Sequence, residues 1–175
     1  VPALVHYVHE NPSNLRRTVA GFPGAASISK ADFWAIDADL LVPAALGGEL
    51  TPAVAEKLRV RLVAEGANGP TTPEGDRVLS ARKIDVIPDV ICNAGGVTVS
   101  YFEWLQNQRL ERWSEAEVNG RLERVIKSNY AVIRDIAADR PRKTPLHDSR
   151  PFCIGHTTHV RTAAMVLALK RIEAH

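Results

Sequence analysis

The stretch VRLVAEGANGPTTPE occupies residues 60–74 and changes character twice along its length. Residues 60–64 are mostly apolar, which predicts a short buried strand. Residues 65–70 are small or polar, as in a turn, and proline after Thr72 predicts the first turn of a helix. A strand, a small-residue turn and a helix in close succession indicate one unit of a parallel α/β sheet.

The same alternation of strand and helix continues on both sides of this stretch. Residues 39–42 and 84–87 are brief apolar runs, each followed by a proline that ends a strand. Three parallel strands leave an apolar edge unpaired, so we expect further strands or a partner chain. Shorter helices are predicted over 2–10, 29–36, 51–58 and 71–82.

The second half of the chain predicts three longer helices, over 93–108, 114–138 and 158–173. Ser114 and Glu117 have the spacing of a capping box, which fixes the start of the second. Each helix has an apolar stripe that we predict to pack against a neighbour. The stripes are Val97, Tyr101, Trp104 and Leu105; Val118, Leu122, Val125, Val132 and Ile136; and Val160, Ala164, Leu167 and Ala168.

Composition places the chain among ordinary globular proteins. It has 175 residues, 45% of them hydrophobic and 24% charged, and a formal net charge of +2. That charge is too small to indicate a nucleic-acid or membrane partner, and no apolar run is long enough to span a bilayer. Two cysteines favour a reducing compartment, the cytoplasm. Because the chain begins at Val1 and its one methionine is Met165, we expect a piece of a longer polypeptide or a processed product.

Three loops follow the predicted strands, at 43–45, 65–70 and 92–96. Ligands bind beyond the carboxyl ends of strands in open α/β sheets, and these loops hold mainly small or amide residues. Asn68 and Asn93 each donate and accept hydrogen bonds, which suits a ribose or a carboxamide. The alternative is that these residues only form turns and caps. The chain has no G-x-G-x-x-G or Walker A run, so we expect no pyrophosphate-binding turn here.

A second cluster has the spacing of zinc ligands. Cys153, His156 and His159 form C-x-x-H-x-x-H, with His147 or Asp148 as a possible fourth ligand. His6 and His9 repeat the H-x-x-H spacing. The alternative is an ordinary polar loop, and we predict no metal site.

Several runs together resemble a known enzyme family. VAEGANGPTTPE at 63–74 and NAGGVTVSYFEW at 93–104 resemble signature sequences of glutamate dehydrogenases, as do LVPAA at 41–45, GFPGA at 21–25 and RTAA at 161–164. The chain is thereby identified as a member of the hexameric Glu/Leu/Phe/Val dehydrogenases. The resemblance implies the second half of a Rossmann-like parallel sheet over 1–92, followed over 93–175 by C-terminal helices that close on the nucleotide and substrate sites.

The resemblance also implies a reaction and a set of site residues. The family interconverts an amino acid, here L-glutamate, with its 2-oxo acid and ammonia, using NAD or NADP. By resemblance Ala44 and Ala45 line the adenosine or the nicotinamide-ribose side of the coenzyme, Asn68 reaches the nicotinamide ribose, and Asn93 reaches the nicotinamide carboxamide. Gly96 and Ser100 bind the substrate, with Ser100 at the side-chain carboxylate of glutamate. One helical turn separates these two residues, which places them on one face.

The family's catalytic lysine and aspartate lie in an earlier domain, by the same resemblance. Lys30 and Lys83 lack the matching sequence context, so we predict no catalytic residue in this chain. The alternative is a catalytically silent relative that acts as a partner or regulatory subunit. Intact Asn68, Asn93, Gly96 and Ser100 favour the enzyme, because a silent relative has no chemical need for them.

Overall fold

A computed structural model describes residues 2–11, 18–138 and 159–173, and its contacts divide the chain into two units, 1–36 and 37–175. The first unit contains helix α1 (Pro2–Glu10) and helix α2 (Lys30–Trp34), both as predicted. The Tyr7 hydroxyl donates to the Ala20 carbonyl at 2.9 Å, and its ring meets Phe22 edge-on. Ser29 caps α2 through its side-chain oxygen.

The second unit is built on a parallel sheet. Its strands among the described residues are β1 (Leu40–Leu41), β2 (Leu62–Ala64) and β3 (Asp85–Ile87), in the order β1-β2-β3. The predicted α/β class with a parallel sheet is therefore confirmed, although each strand is shorter than predicted. Because the strands are parallel, the three loops that follow them all leave the sheet at one edge.

Helices α3 (Pro52–Ala55) and α4 (Pro73–Ala81) connect the strands and begin at the predicted Thr-Pro pairs. The Thr72 side-chain oxygen accepts the Gly75 N–H at 3.0 Å, so it caps α4. Helix α3 ends short of the predicted residue 58. There the Arg82 guanidinium donates to the Ala55 and Leu58 carbonyls, which satisfies acceptors at and beyond the helix end.

Among the described residues, the sheet is followed by α5 (Asp89–Cys92), α6 (Gly95–Arg109), α7 (Glu115–Ala137) and α8 (Val160–Glu173). Ser114 and Glu117 form the predicted capping box of α7. Helix α5 was not predicted, because four residues are too few to show a helical period. Within the described part of the chain, no helix combines the length and apolar character needed to cross a membrane.

The main helical core joins α5, α7 and α8. Its buried members are Ile91, Ile133, Ala137, Val160, Ala163 and Ala164, with Ile126, Tyr130 and Leu167 packed against them. The predicted α7 stripe is correct at Ile136, which also packs against this core, and at the half-buried Val118, Leu122 and Val132, but Val125 is exposed. The predicted α8 stripe is correct at Val160, Ala164 and Leu167, but Ala168 is exposed. Both helices have apolar residues on adjacent faces, and only the neighbouring helix decides which face is buried.

The structure also corrects the predicted buried face of α6. Val97, Tyr101 and Trp104 are all more than half exposed, and the buried residue of the helix is Phe102. The Tyr101 and Trp104 rings stack on each other with centroids 5.9 Å apart. The apolar period of α6 therefore identified a helix correctly, but it did not identify the side that packs within this unit.

Candidate functional site

The loops that follow β1 and β2 touch each other. The Ala67 N–H donates to the Pro43 carbonyl at 2.8 Å. A Cβ added at Gly66 would lie 3.2 Å from the Cβ of Ala44, so the two backbones approach closely where glycine leaves room. Ala44 and Ala45 are exposed beside this contact, as small side chains at the carboxyl edge of the sheet.

Asn68 and Asn93 are brought together by the loops after β2 and β3. The Asn93 amide donates to the Asn68 side-chain oxygen at 2.7 Å and to the Gly66 carbonyl at 3.4 Å. Within residues 18–138, no hydrogen bond is made by the Asn68 amide NH2 or by the Asn93 side-chain oxygen. The pair therefore presents one donor and one acceptor to a ligand, the combination that a carboxamide or a ribose requires.

Helix α6 begins two residues after Asn93. Its N-cap residue is Ala94, which makes no side-chain capping bond, so its first backbone N–H groups are not capped by a side chain. A Cβ added at Gly95 or Gly96 would meet nothing within 4 Å in the described part of the chain. Ser100 lies one turn further on and is exposed. The start of α6 is thus open to a ligand and, by its dipole, favours a negative charge.

A buried ion-pair network lies behind these loops, and the sequence did not reveal it. Glu65 is fully buried, with 0% of its surface exposed. One carboxylate oxygen accepts from the Thr71 hydroxyl and from Arg161 of α8, the latter at 2.7 Å. The other accepts the Asp89 N–H at 2.9 Å. A buried carboxylate with this many partners is fully paired, as a charge in a protein interior must be.

Arg161 holds three carboxylates together. Besides Glu65 it contacts Asp89 at 3.3 Å and Asp76 at 3.5 Å. Burial lowers the pKa of Arg161, but the hydrogen bond and negative charge of Glu65, with the charges of Asp76 and Asp89, outweigh burial and raise the pKa overall. The guanidinium is therefore charged at any physiological pH.

The sequence contains two weak signals of this network. Glu65 directly follows a buried strand, and Arg161 lies beside the buried residues Val160 and Ala163. A charge at either place requires a partner. The partners are 96 residues apart, so no local pattern joins them.

Only part of the candidate zinc cluster lies within the described residues. Cys153, His156, His147 and Asp148 lie outside them, and the His159 ring nitrogen is 3.7 Å from an Asp76 oxygen. His6 pairs with Glu10 at 2.8 Å. In the part of the chain that the structure describes, no three His, Cys, Asp or Glu side chains converge in a way that could hold a metal ion.

Cys92 lies close to the network, and its thiol is expected to be unreactive. Burial raises the pKa of Cys92, and the charges of Glu65 and Asp89 raise it further. Because a raised pKa lowers the thiolate fraction at neutral pH, iodoacetamide should modify Cys92 more slowly in the folded than in the unfolded protein. Mass spectrometry of the peptide that contains Cys92 measures this rate. Asp89→Asn should lower the pKa and speed the reaction; equal rates in folded and unfolded protein would contradict the assignment.

Known proteins resemble the chain over most of its length. The profile of the Glutamate/Leucine/Phenylalanine/Valine dehydrogenase family matches residues 3–175. The NAD-specific glutamate dehydrogenase of Clostridioides difficile is 51% identical over 116 residues, 66% of this chain and 26% of that protein. The NADP-specific glutamate dehydrogenase A1 of Halobacterium salinarum is 39% identical over 156 residues, 89% of this chain and 34% of that protein.

A solved structure shares the fold. A hetero-hexameric glutamate dehydrogenase from Thermus thermophilus superposes with a TM-score of 0.72 at 25% identity, covering 86% of this chain and 32% of that chain. The chain therefore spans between about a quarter and about a third of the length of these three proteins.

Proposed function

The chain belongs to the Glutamate/Leucine/Phenylalanine/Valine dehydrogenase family, and on that premise we propose that its polypeptide is an NAD(P)-dependent glutamate dehydrogenase. The proposed reaction is the oxidative deamination of L-glutamate to 2-oxoglutarate and ammonia. The observation that carries the proposal is the hydrogen-bonded pair Asn68–Asn93 immediately before the open, glycine-initiated start of α6. The names of the two glutamate dehydrogenases above support the choice of glutamate and of NAD or NADP.

The residues at the sheet edge fit the nicotinamide side of a coenzyme. Asn68 retains its amide NH2 for a ribose hydroxyl, and Asn93 retains its carbonyl oxygen for the carboxamide NH2. Ala44 and Ala45 leave room for a flat ring near the backbone. When bound, the coenzyme supplies the hydride chemistry. This chain's own residues hold and orient it.

The start of α6 fits a dicarboxylate substrate. Its uncapped N–H groups favour a carboxylate, and Gly96 has no side chain that could block the approach of a ligand. Packing does not require this glycine, because a Cβ at Gly96 would meet no other part of the described chain. Glycine in a helix is about 1 kcal/mol less favourable than alanine. A fold that has room for a Cβ but keeps Gly96 is consistent with space reserved for a ligand. Ser100 would donate its hydroxyl proton to the side-chain carboxylate of glutamate.

We propose that hydride transfer requires further residues besides those of this chain. Residues 1–92 would supply half of the nucleotide-binding domain, and 93–175 would supply the helices that close on both sites. The catalytic residues would come from outside this chain, as the resemblance implies. A cytoplasmic homo-oligomer, a hexamer, is the proposed assembly, and the hetero-hexameric relative supports that number of subunits.

The direct test is turnover by the complete polypeptide that contains these residues. We expect reduction of NAD or NADP with L-glutamate, followed by the absorbance of the reduced nicotinamide, and the reverse reaction with 2-oxoglutarate only when ammonium is added. L-leucine, L-phenylalanine and L-valine serve as matched substrates. Faster turnover of one of these would contradict the choice of glutamate. No turnover with any of them would instead favour the catalytically silent partner subunit.

Ser100→Ala tests the substrate role. We expect the KM for glutamate to rise about 10- to 100-fold, because a hydrogen bond to a charged group contributes about 1.5–3 kcal/mol. The KM for the coenzyme should stay unchanged. Steady-state kinetics of the complete protein measures both constants. Ser80→Ala, the same change at an exposed site of α4, is the control and should change neither. An equal loss of glutamate and coenzyme affinity would remove this role from Ser100.

A further inference from the structure

We propose that Arg161 is a positioning residue for the coenzyme: through Glu65 and Asp89 it fixes the loops that carry Asn68 and Asn93. This inference rests on the proposed dehydrogenase function and deepens it. Arg161 lies on α8 and is not among the predicted site residues. It acts on the coenzyme only through other groups, so it is not a catalytic residue.

The Arg161 guanidinium joins the ends of two strands. One terminal nitrogen lies 2.7 Å from Glu65, which directly follows β2. The other lies 3.3 Å from Asp89, which begins α5 after β3. A planar guanidinium can contact two carboxylates at once through separate nitrogens, which an ammonium does less well.

The two carboxylates transmit this placement to the loop that carries Asn68. Asp89 accepts the Gly69 N–H at 2.7 Å, one peptide unit from Asn68. Glu65 accepts the Asp89 N–H at 2.9 Å, so the two acidic residues also fix each other. Gly69 has a φ of +54°, a turn conformation that the Asp89 bond helps to hold.

Without Arg161, the negative charges of the carboxylates around it would lie close together. Glu65 is fully buried, and Asp76 and Asp89 lie near the same guanidinium. His159 faces only Asp76, at 3.7 Å, and cannot replace Arg161 between Glu65 and Asp89. Removal of Arg161 would make the carboxylates repel each other. The loop would then occupy its coenzyme-binding conformation for a smaller fraction of the time, and the apparent dissociation constant rises by the inverse of that fraction.

The chain offers a matched control. The Arg82 guanidinium also donates hydrogen bonds to two acceptors, the Ala55 and Leu58 carbonyls. These carbonyls lie at the end of α3 and not in the loops that carry Asn68 and Asn93. Arg82→Gln therefore removes a guanidinium that makes two hydrogen bonds in the same unit, and it leaves the loops that carry Asn68 and Asn93 intact. It separates a loss of stability from a loss of positioning.

The experiment measures NADH and NADPH binding to the complete polypeptide by the fluorescence of the reduced nicotinamide. It is made well below the melting temperature of every variant. For Arg161→Gln we expect the dissociation constant of the preferred coenzyme to rise about tenfold or more, and Arg161→Lys should recover part of that loss. Arg82→Gln should lower the melting temperature and leave the dissociation constant unchanged.

Each contrary outcome has a distinct meaning. If the wild type binds a coenzyme and Arg161→Gln and Arg161→Lys bind it equally well, Arg161 does not position these loops. If Arg82→Gln weakens binding as much as Arg161→Gln does, the effect is general stability and the inference is overturned. If the wild type binds neither coenzyme, the proposed function itself fails, and the inference fails with it. If Arg161→Gln does not fold, Arg161→Lys alone decides between weaker and unchanged binding.

Discussion

Gly75→Ala is expected to destabilise the second unit by about 3 kcal/mol, the upper part of the range for overpacked cores. A Cβ at Gly75 would lie 2.1 Å from the Leu50 carbonyl oxygen, a distance that no real contact allows. That oxygen also accepts the Thr72 N–H at 3.2 Å, and Leu50 is fully buried, so neither backbone can move freely. Helix propensity alone predicts the opposite sign, a gain of about 1 kcal/mol.

Gly120→Ala provides the control for this substitution. Gly120 lies within α7, and among the described residues a Cβ there would meet only the flexible end of Arg124, at 4.0 Å. We expect this change to stabilise the protein by about 0.5–1 kcal/mol, as helix propensity predicts. Urea unfolding of both variants measures the two free energies. Shifts of the same sign would show that the contact with Leu50 does not limit position 75.

Glu65→Gln should also destabilise the second unit, by about 1–3 kcal/mol, since it would leave buried hydrogen-bonding groups without a matching partner. Glu65 accepts from the Thr71 hydroxyl, the Asp89 N–H and Arg161, and it is fully buried. Glutamine keeps the shape but replaces one acceptor oxygen with a donor, so a donor would face a donor. Arg161 would retain only Asp76 and Asp89.

Glu123→Gln is the matched change for Glu65→Gln. Glu123 pairs with Lys127 one turn along α7, and both side chains are mostly exposed. The hydrogen bond and charge of Lys127 lower the pKa of Glu123, but water screens such a pair. The urea midpoint of Glu123→Gln should therefore stay close to that of the wild type. If both variants shift the midpoint equally, the Glu65 network contributes no more than a surface ion pair.

Much of the fold could be predicted because its signals are local. A proline after the apolar runs 39–42 and 84–87 marks where two of the strands end, and Thr51, Thr72 and Ser114 mark where helices begin. Helix α5 was missed because its four residues carry no period. The buried face of α6 was not predicted, because a helix with apolar residues on several sides does not specify which side meets a neighbour.

The sequence predicted the loop residues of the candidate site but not the ion pairs that hold those loops. Asn68 and Asn93 follow predicted strands, and the rule that parallel strands end at one edge was enough to expect them near each other. The structure joins them by a hydrogen bond of 2.7 Å. Their roles toward a coenzyme stay a prediction, as do those of Ala44, Ala45, Gly96 and Ser100. The ion-pair network of Glu65 and Arg161 could not be predicted, because no local sequence pattern indicates it.

The sequence by itself determined the order of strands and helices, most of their ends, and the loops that carry the candidate site. Those features depend on hydrogen bonds and steric limits between residues a few positions apart. Only the tertiary structure decided that Arg161 meets Asp89 and Glu65, which are 72 and 96 residues away. A charge tolerates burial only where the fold brings an opposite charge to it. The packing of α8 against the sheet therefore decided how the loops with Asn68 and Asn93 are held.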